Sequence, residues 1–370
     1  MSRSRQGALQ SVLLVVAVLA SLVAVRWSVT GGLTRPMMPP APAAATDRGD
    51  RSAHTVSAPV GTRLSLGGRQ PIVVDPANGT VWRIPPDPDD QTVLFRQGHH
   101  TVLVANGRAW ATPAGRAGPH RALGPALAAL PALAADRIWL VTVSYETPRQ
   151  WYRLVEIGLA DGRAHSRWTL PYQAAPVAVL SSGVLTRTFE DDLQVVEPGS
   201  GRVQALLARA ATYIDAHRDR VSWLAGGDLH VRDFKTGVHL AVPPPPGSPD
   251  WYALGGPVSQ AGCCYGLGAF APDGRTLAVY ARVAGPGTPG LAVVDLARGQ
   301  AALLPGSEGA IPNGRLPCLA WASNGWLYYF GVGPAITSIG AWRPGQRAAG
   351  RLRLDIDWAV DVVPNTLAAN

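Results

Sequence analysis

Lysine is almost missing from this 370-residue chain: Lys235 is the only one, and every other basic residue except histidine is arginine. Charge of either sign is sparse, at 16% of residues, beside 47% hydrophobic residues. That balance excludes wholesale disorder, because the chain can bury a large core. The formal charge of +8 rests on arginines scattered along the sequence, among them Arg108, Arg116, Arg121, Arg163 and Arg202. A nucleic-acid-binding chain gathers such charge in one patch with interleaved aromatics, so no nucleic-acid partner is expected. The abundance of Arg, Ala, Gly and Pro is that of a GC-rich, bacterial genome.

Other absences narrow the chemistry. No G-x-S-x-G, H-E-x-x-H or Walker sequence occurs, so no catalytic, cofactor-binding or metal residue is assigned and no cofactor is expected. The Gly266-Leu267-Gly268 piece lacks the strand-turn-helix context of a nucleotide loop and suits a strand bend. A sustained 3.6-residue period is missing as well. The one helix-like window, Ala122 to Asp136, is broken by Pro125 and Pro131 and reads as loop and strand.

What the chain does have is 41 glycines and 33 prolines without a collagen period, which points to many tight turns between short strands. It also has a leader. Arg3 and Arg5 precede a stretch without charge from Gln6 to Val25, long enough to cross a bilayer and longer than a usual signal-peptide core. The expected organisation is a cytoplasmic stub at 1–6 and a transmembrane signal anchor at 7–25. A Pro/Ala-rich tether follows at 26–59, then a folded domain at 60–364 and a tail at 365–370. Positive charge on the short leading side places the C-terminal domain outside the cytoplasm of a single-pass membrane protein. A cleaved signal peptide is the alternative, but no small-x-small site follows the apolar run directly.

From Val60 on, a strand runs into a turn ending in Gly and re-emerges as another strand. The pattern recurs at Gly79, Gly115, Gly162, Gly201, Gly237, Gly299 and Gly345, spaced 36 to 62 residues apart. Four copies place an acid four residues earlier: Asp75, Glu197, Asp233 and Asp295. Gly supplies positive φ at no steric cost, and an acid can accept hydrogen bonds from the turn. Further apolar runs precede several hairpins, giving about four strands in roughly 40–45 residues, the period of a propeller blade. The expected fold is all-β, a seven-bladed propeller of four-stranded blades behind one transmembrane helix. Six or eight blades fit the same spacing. Arg351 to Pro364 is expected to complete the first blade and close the ring.

Within that pattern, AFAPDGRTLAVY at 269–280 followed by LAVVDLARGQAALLPG resembles the repeat of TolB-type, WD40-like propellers. Ser323-Asn324-Gly325 marks a weaker copy. The resemblance implies the architecture and carries no catalytic residue with it.

Few residues stand out as candidates for chemistry. Cys263 and Cys264 sit near Cys318 when AFAPDG is laid over AWASNG, so a disulfide from Cys318 to one of the pair is expected outside the membrane. A Cys263–Cys264 bond, buried thiols and a redox role are the alternatives. The acids Asp87, Asp89, Asp90 and Glu190, Asp191, Asp192 lack the spacing of a Ca²⁺ loop and read as solvated turns. His99-His100 has no third ligand at a recognisable spacing. Tryptophans such as Trp82, Trp110, Trp139, Trp223, Trp321 and Trp342 suit the space between blades. The insertion from Pro243 through Pro246 to Trp251 and Tyr252 is a candidate partner-binding loop with exposed aromatic anchors, or else a long packed connection. The expected function is a membrane-anchored, non-enzymatic binding or scaffold module with a protein or glycan partner. The alternative is an extracytoplasmic hydrolase, lyase or quinoprotein with its site at the channel mouth.

Overall fold

The computed structural model describes residues 55–56, 62–67, 72–78, 80–83, 93–113, 121–146, 149–171, 174–252, 267–283, 289–310, 318–331, 338–352 and 366–369. The expected membrane anchor and nearly all of the tether lie outside the described residues, as do Cys263, Cys264 and the acids Asp87, Asp89 and Asp90. Among the described residues no helix is long and apolar enough to cross a membrane.

The described strands form seven sheets, six of four strands and one of five, each running antiparallel from an innermost to an outermost strand apart from one added edge strand. The innermost strands are Thr366–Ala369, Val93–Gln97, Ala128–Pro131, Ala174–Leu180, Thr212–His217, Gly268–Phe270 and Leu319–Trp321, in blades one to seven. The sequence thus folds as the expected seven-bladed propeller. The Ala122–Asp136 window, broken by its prolines, becomes the outermost strand of blade two and the innermost strand of blade three.

Burial explains why the middle strands read as continuous apolar runs. In blade six Leu277, Ala278, Val279, Tyr280 and Ala281 are all inaccessible to solvent, since each face is covered by a neighbouring blade. Tyr152, Tyr280 and Tyr328 are among the largest fully buried side chains and fill the widening gaps between sheets. Trp139 packs with Leu170 and Val179 across blades three and four, and Trp223 packs with blade-four residues Leu185 and Val195. Fully burying one such side chain contributes roughly 1.5–3 kcal/mol. Outermost strands are different: Gln300–Leu303 alternates exposed and half-buried positions, as an edge must.

In blades three to seven the glycine hairpins join the third and fourth strands, while Gly79 and Gly115 lie outside the described residues. Gly162, Gly201, Gly237, Gly299 and Gly345 all have positive φ, between 62° and 93°. In blade six, Asp295 Oδ1 accepts the amides of Ala297 at 2.9 Å and Arg298 at 3.2 Å, which bends the chain toward Gly299. Asp233 does the same for Lys235 and Thr236 in blade five. Pro272-Asp273-Gly274 turns the first hairpin of blade six, with Asp273 Oδ1 accepting the Arg275 amide at 2.9 Å. Asp273 is a turn former.

Three boundaries differ from expectation. The ring closes through Thr366–Ala369, which pairs antiparallel with Leu64–Gly67, so the segment expected to be a tail is the innermost strand of blade one. Arg351 and Leu352 instead end the outermost strand of blade seven, and 353–365 lies outside the described residues. Arg351–Pro364 carries the longer apolar alternation, whereas Thr366–Ala369, read Thr-Leu-Ala-Ala, is too short to show a period, so pattern alone favours the wrong segment for this slot. Second, Thr55–Val56, inside the expected tether, pairs in parallel with Arg351 and Leu352 and covers the edge of blade seven. Third, Trp251 is not an exposed anchor. Its ring is buried, its Nε1 donates to Val242 O at 3.1 Å, and its backbone bridges Ala281. Tyr252 is half-buried against the same core, whereas Pro243 and Pro246 are exposed. The prolines stiffen a packed connection rather than present a hydrophobic tip.

Leu367 is buried between blade one and blade seven. Leu367→Ala is expected to cost about 2–5 kcal/mol in denaturant unfolding. An unchanged midpoint would contradict closure by this strand.

Candidate functional site

The seven innermost strands surround a central channel whose enclosed part has a volume of about 240 Å³. Every blade contributes to its lining. Most of the wall is small and apolar, including Ala178, Ala216, Ala269, Ala320 and Ala368. Small residues here follow from geometry: seven strands converge on one axis, and larger side chains would fill the space. Three charged groups break this wall: Arg96 from blade two, and Asp215 and Arg218 from blade five.

Each of the first two is committed to the main chain of a neighbouring strand. Asp215 Oδ2 accepts the Phe270 amide at 2.8 Å, joining the innermost strands of blades five and six. Arg96 Nε donates to Gly98 O at 2.8 Å, and its terminal nitrogen lies 3.5 Å from Ala369 O in blade one. Arg218, by contrast, is exposed at the corner leaving the channel strand, with φ of 55°.

Burial dominates the electrostatics of this wall. The Asp215 carboxyl is pushed up to about 7, chiefly by burial, against the opposing effect of hydrogen bonds from the Phe270 and Ala216 amides. Its surface exposure is intermediate, because it opens on the narrow lumen, yet protein surrounds it on every side. Confinement within the wall governs its ionisation more than the small area open to water. Burial also lowers the Arg96 guanidinium from its ordinary value, though arginine stays a cation. His217 is lowered by burial first and then by Arg218 and Arg220, and it packs on Phe270 at 6.3 Å.

Similar side-chain-to-backbone links tie other blades at this end of the channel. Asp219 Oδ1 accepts the Ser181 amide at 2.7 Å, from blade five to blade four. Arg220 pairs with Asp233 at 2.9 Å and donates to Gly274 O in blade six. Trp321 Nε1 donates to Ala269 O at 2.9 Å, from blade seven to blade six. Gln97 Nε2 donates to Ala132 O and Ala134 O in blade three, each at 2.9 Å.

The candidates singled out in the sequence do not gather here. His99 sits at an exposed hairpin tip and His100 opens the next strand. Glu190, Asp191 and Asp192 form a turn, in which Asp191 pairs with Arg187. Cys318 is buried at the start of the blade-seven inner strand, while both of its expected partners lie outside the described residues. Among the described residues no group of three His, Cys, Asp or Glu side chains could hold a metal. Sequence reasoning passed over Arg96, Asp215 and Arg218. The signal was present as a lone acid directly after the buried pair Tyr213-Ile214.

No family model matches the sequence, and no curated protein is similar to it in sequence. Solved structures are similar in fold. Acylaminoacyl peptidase from Pyrococcus horikoshii aligns with a TM-score of 0.50 and 9% identity over 81% of this chain and 52% of that one. TolB from Acinetobacter baumannii aligns with a TM-score of 0.41 and 12% identity, over 81% of this chain and 78% of its own. A puromycin-hydrolyzing peptidase from Mycobacterium tuberculosis gives 0.42 and 14%, over 82% and 53%. The chain therefore spans about half the length of either peptidase. Likeness at these identities is likeness of fold.

The Asp215 shift has a measurable sign. Its folded pKa lies above the unfolded value, so the folded chain binds the proton more tightly. Stability from this group is full below the usual carboxylate range and is lost as pH rises toward and through about 7. Asp215→Asn, which keeps an acceptor for the Phe270 amide, is expected to flatten this fall in denaturant midpoints across pH 4 to 8. A wild-type slope retained by the variant would assign the titration to another group.

Proposed function

We propose that this chain is a membrane-anchored, extracytoplasmic propeller that binds a protein or glycan partner at the channel mouth and performs no chemistry there. The supporting observation is the state of the charged groups. Asp215 and Arg96 are both spent on neighbouring main chain, and Arg218 alone stands exposed at the rim. General acid–base or nucleophilic catalysis needs a donor and an acceptor poised on the same reacting atom. The described channel wall offers apolar contact and one projecting guanidinium, a combination suited to recognition. Leu133, exposed and lining the same channel, adds an apolar contact point. The membrane placement rests on the Arg3/Arg5-flanked apolar segment.

The test is a photo-crosslinking amino acid at Leu133 in intact cells, with the same probe at Val203 on the outer rim of blade four. A discrete adduct from Leu133 that is lost with Arg218→Glu is the expected outcome. Equal labelling at both positions would remove the channel mouth as the site. Hydrolytic turnover by the purified chain that Asp215→Asn abolishes would replace binding with catalysis. Resistance of the propeller to protease added outside intact cells would overturn its location.

A further inference from the structure

The outer half of blade five holds three aromatic rings that the channel does not explain. Trp223, His230 and His239 stand on adjacent strands, with Trp223 directly opposite His230. Their planes are nearly parallel: 14° between Trp223 and His230, 12° between Trp223 and His239, and 24° between the histidines. Trp223 is buried in the core between blades four and five, so the indole is a fixed wall for the two imidazoles.

The hydrogen bonds set the chemistry of the pair. His230 Nε2 lies 3.2 Å from Ala225 O. A carbonyl only accepts, so Nε2 carries the proton and the neutral ring keeps its lone pair on Nδ1. That Nδ1 faces His239 Nε2 at 3.2 Å. When His239 carries its proton on Nδ1, both lone pairs face the same gap. Metal–imidazole bonds of about 2.0–2.1 Å place two nitrogens of a tetrahedral centre about 3.3 Å apart, close to the spacing found. A backbone carbonyl holding the non-ligating nitrogen is also how metal-binding histidines are commonly oriented. The neighbouring cation, Arg232, is held over the Phe234 ring at 5.0 Å.

We infer that His230 Nδ1 and His239 Nε2 form a two-imidazole site for a late first-row divalent ion, Zn²⁺ or Cu²⁺. Imidazole selects such ions over Mg²⁺ and Ca²⁺, which require oxygen ligands. With no third protein donor among the described residues, water completes the coordination, and the ion exchanges freely rather than holding the fold. With His230 protonated on Nε2 and His239 on Nδ1, each neutral ring offers one lone pair, and metal binding releases no proton.

Calorimetric titration of the detergent-solubilised full chain with Zn²⁺ tests this, paired with electron paramagnetic resonance of the Cu²⁺ form. The expected result is one equivalent of bound metal, with hyperfine coupling to two imidazole nitrogens. His230→Gln and His239→Gln should each remove that equivalent without moving the metal-free thermal midpoint. His99→Gln should retain it. Absence of binding by the unaltered chain overturns the site, as does an equivalent that survives either substitution. Should His230→Gln fail to fold, His239→Gln decides alone, since His239 is exposed on an outermost strand.

Discussion

The ladder between Thr366–Ala369 and Leu64–Gly67 joins the two ends of the folded domain, and the central channel exists because of it. A radial stack of sheets left open would expose an apolar face at each end, with no neighbouring blade to cover it. Closing it places Leu367 and Ala369 in the core shared with blade seven and Ala368 against blade two. It also brings Ala369 O within reach of Arg96. Chain ends far apart in sequence therefore set the diameter of the channel and the neighbours of its few charges.

Closure alone does not align the innermost strands, which diverge from one another and share few main-chain ladders. Side chains supply those links. Blade five carries several of them: Asp219 reaches blade four, and Asp215 and Arg220 reach blade six. Using polar residues this way costs desolvation, most visibly in the raised Asp215 carboxyl. The cost is offset where the main-chain amide would otherwise be buried without a partner. Arg96 and Asp215 thus serve the fold, while Arg218 is exposed at the rim.

Much of this architecture was legible in the sequence because turns are local. A glycine at positive φ with an acid four residues before it declares a hairpin without reference to the rest of the chain, as at Gly237 and Gly299. The period between hairpins then gives the blade, and the seven hairpins favour seven blades without excluding six or eight. Closure was less legible, since Arg351–Pro364 alternates whereas the four residues Thr366–Ala369 show no period, and only the assembled ring decides which segment meets Leu64–Gly67. Trp251 misled for a related reason. A proline-rich approach reads as exposed, but the ring's burial depends on a bridge to Ala281, a residue in the next blade. The channel charges were least legible of all. Arg96 lies far in sequence from Asp215 and Arg218, and the three acquire a common environment only around the axis.

Hydrogen exchange of the full chain, followed by mass spectrometry at increasing sub-denaturing guanidinium concentrations, tests the central claim of a ring joined at its ends. The amides of 366–369 should exchange together with those of 64–67, in one cooperative opening whose free energy approaches that of global unfolding. Free exchange of 366–369 while 64–67 and the blade-six strands stay protected would contradict the closed ring, and with it the channel.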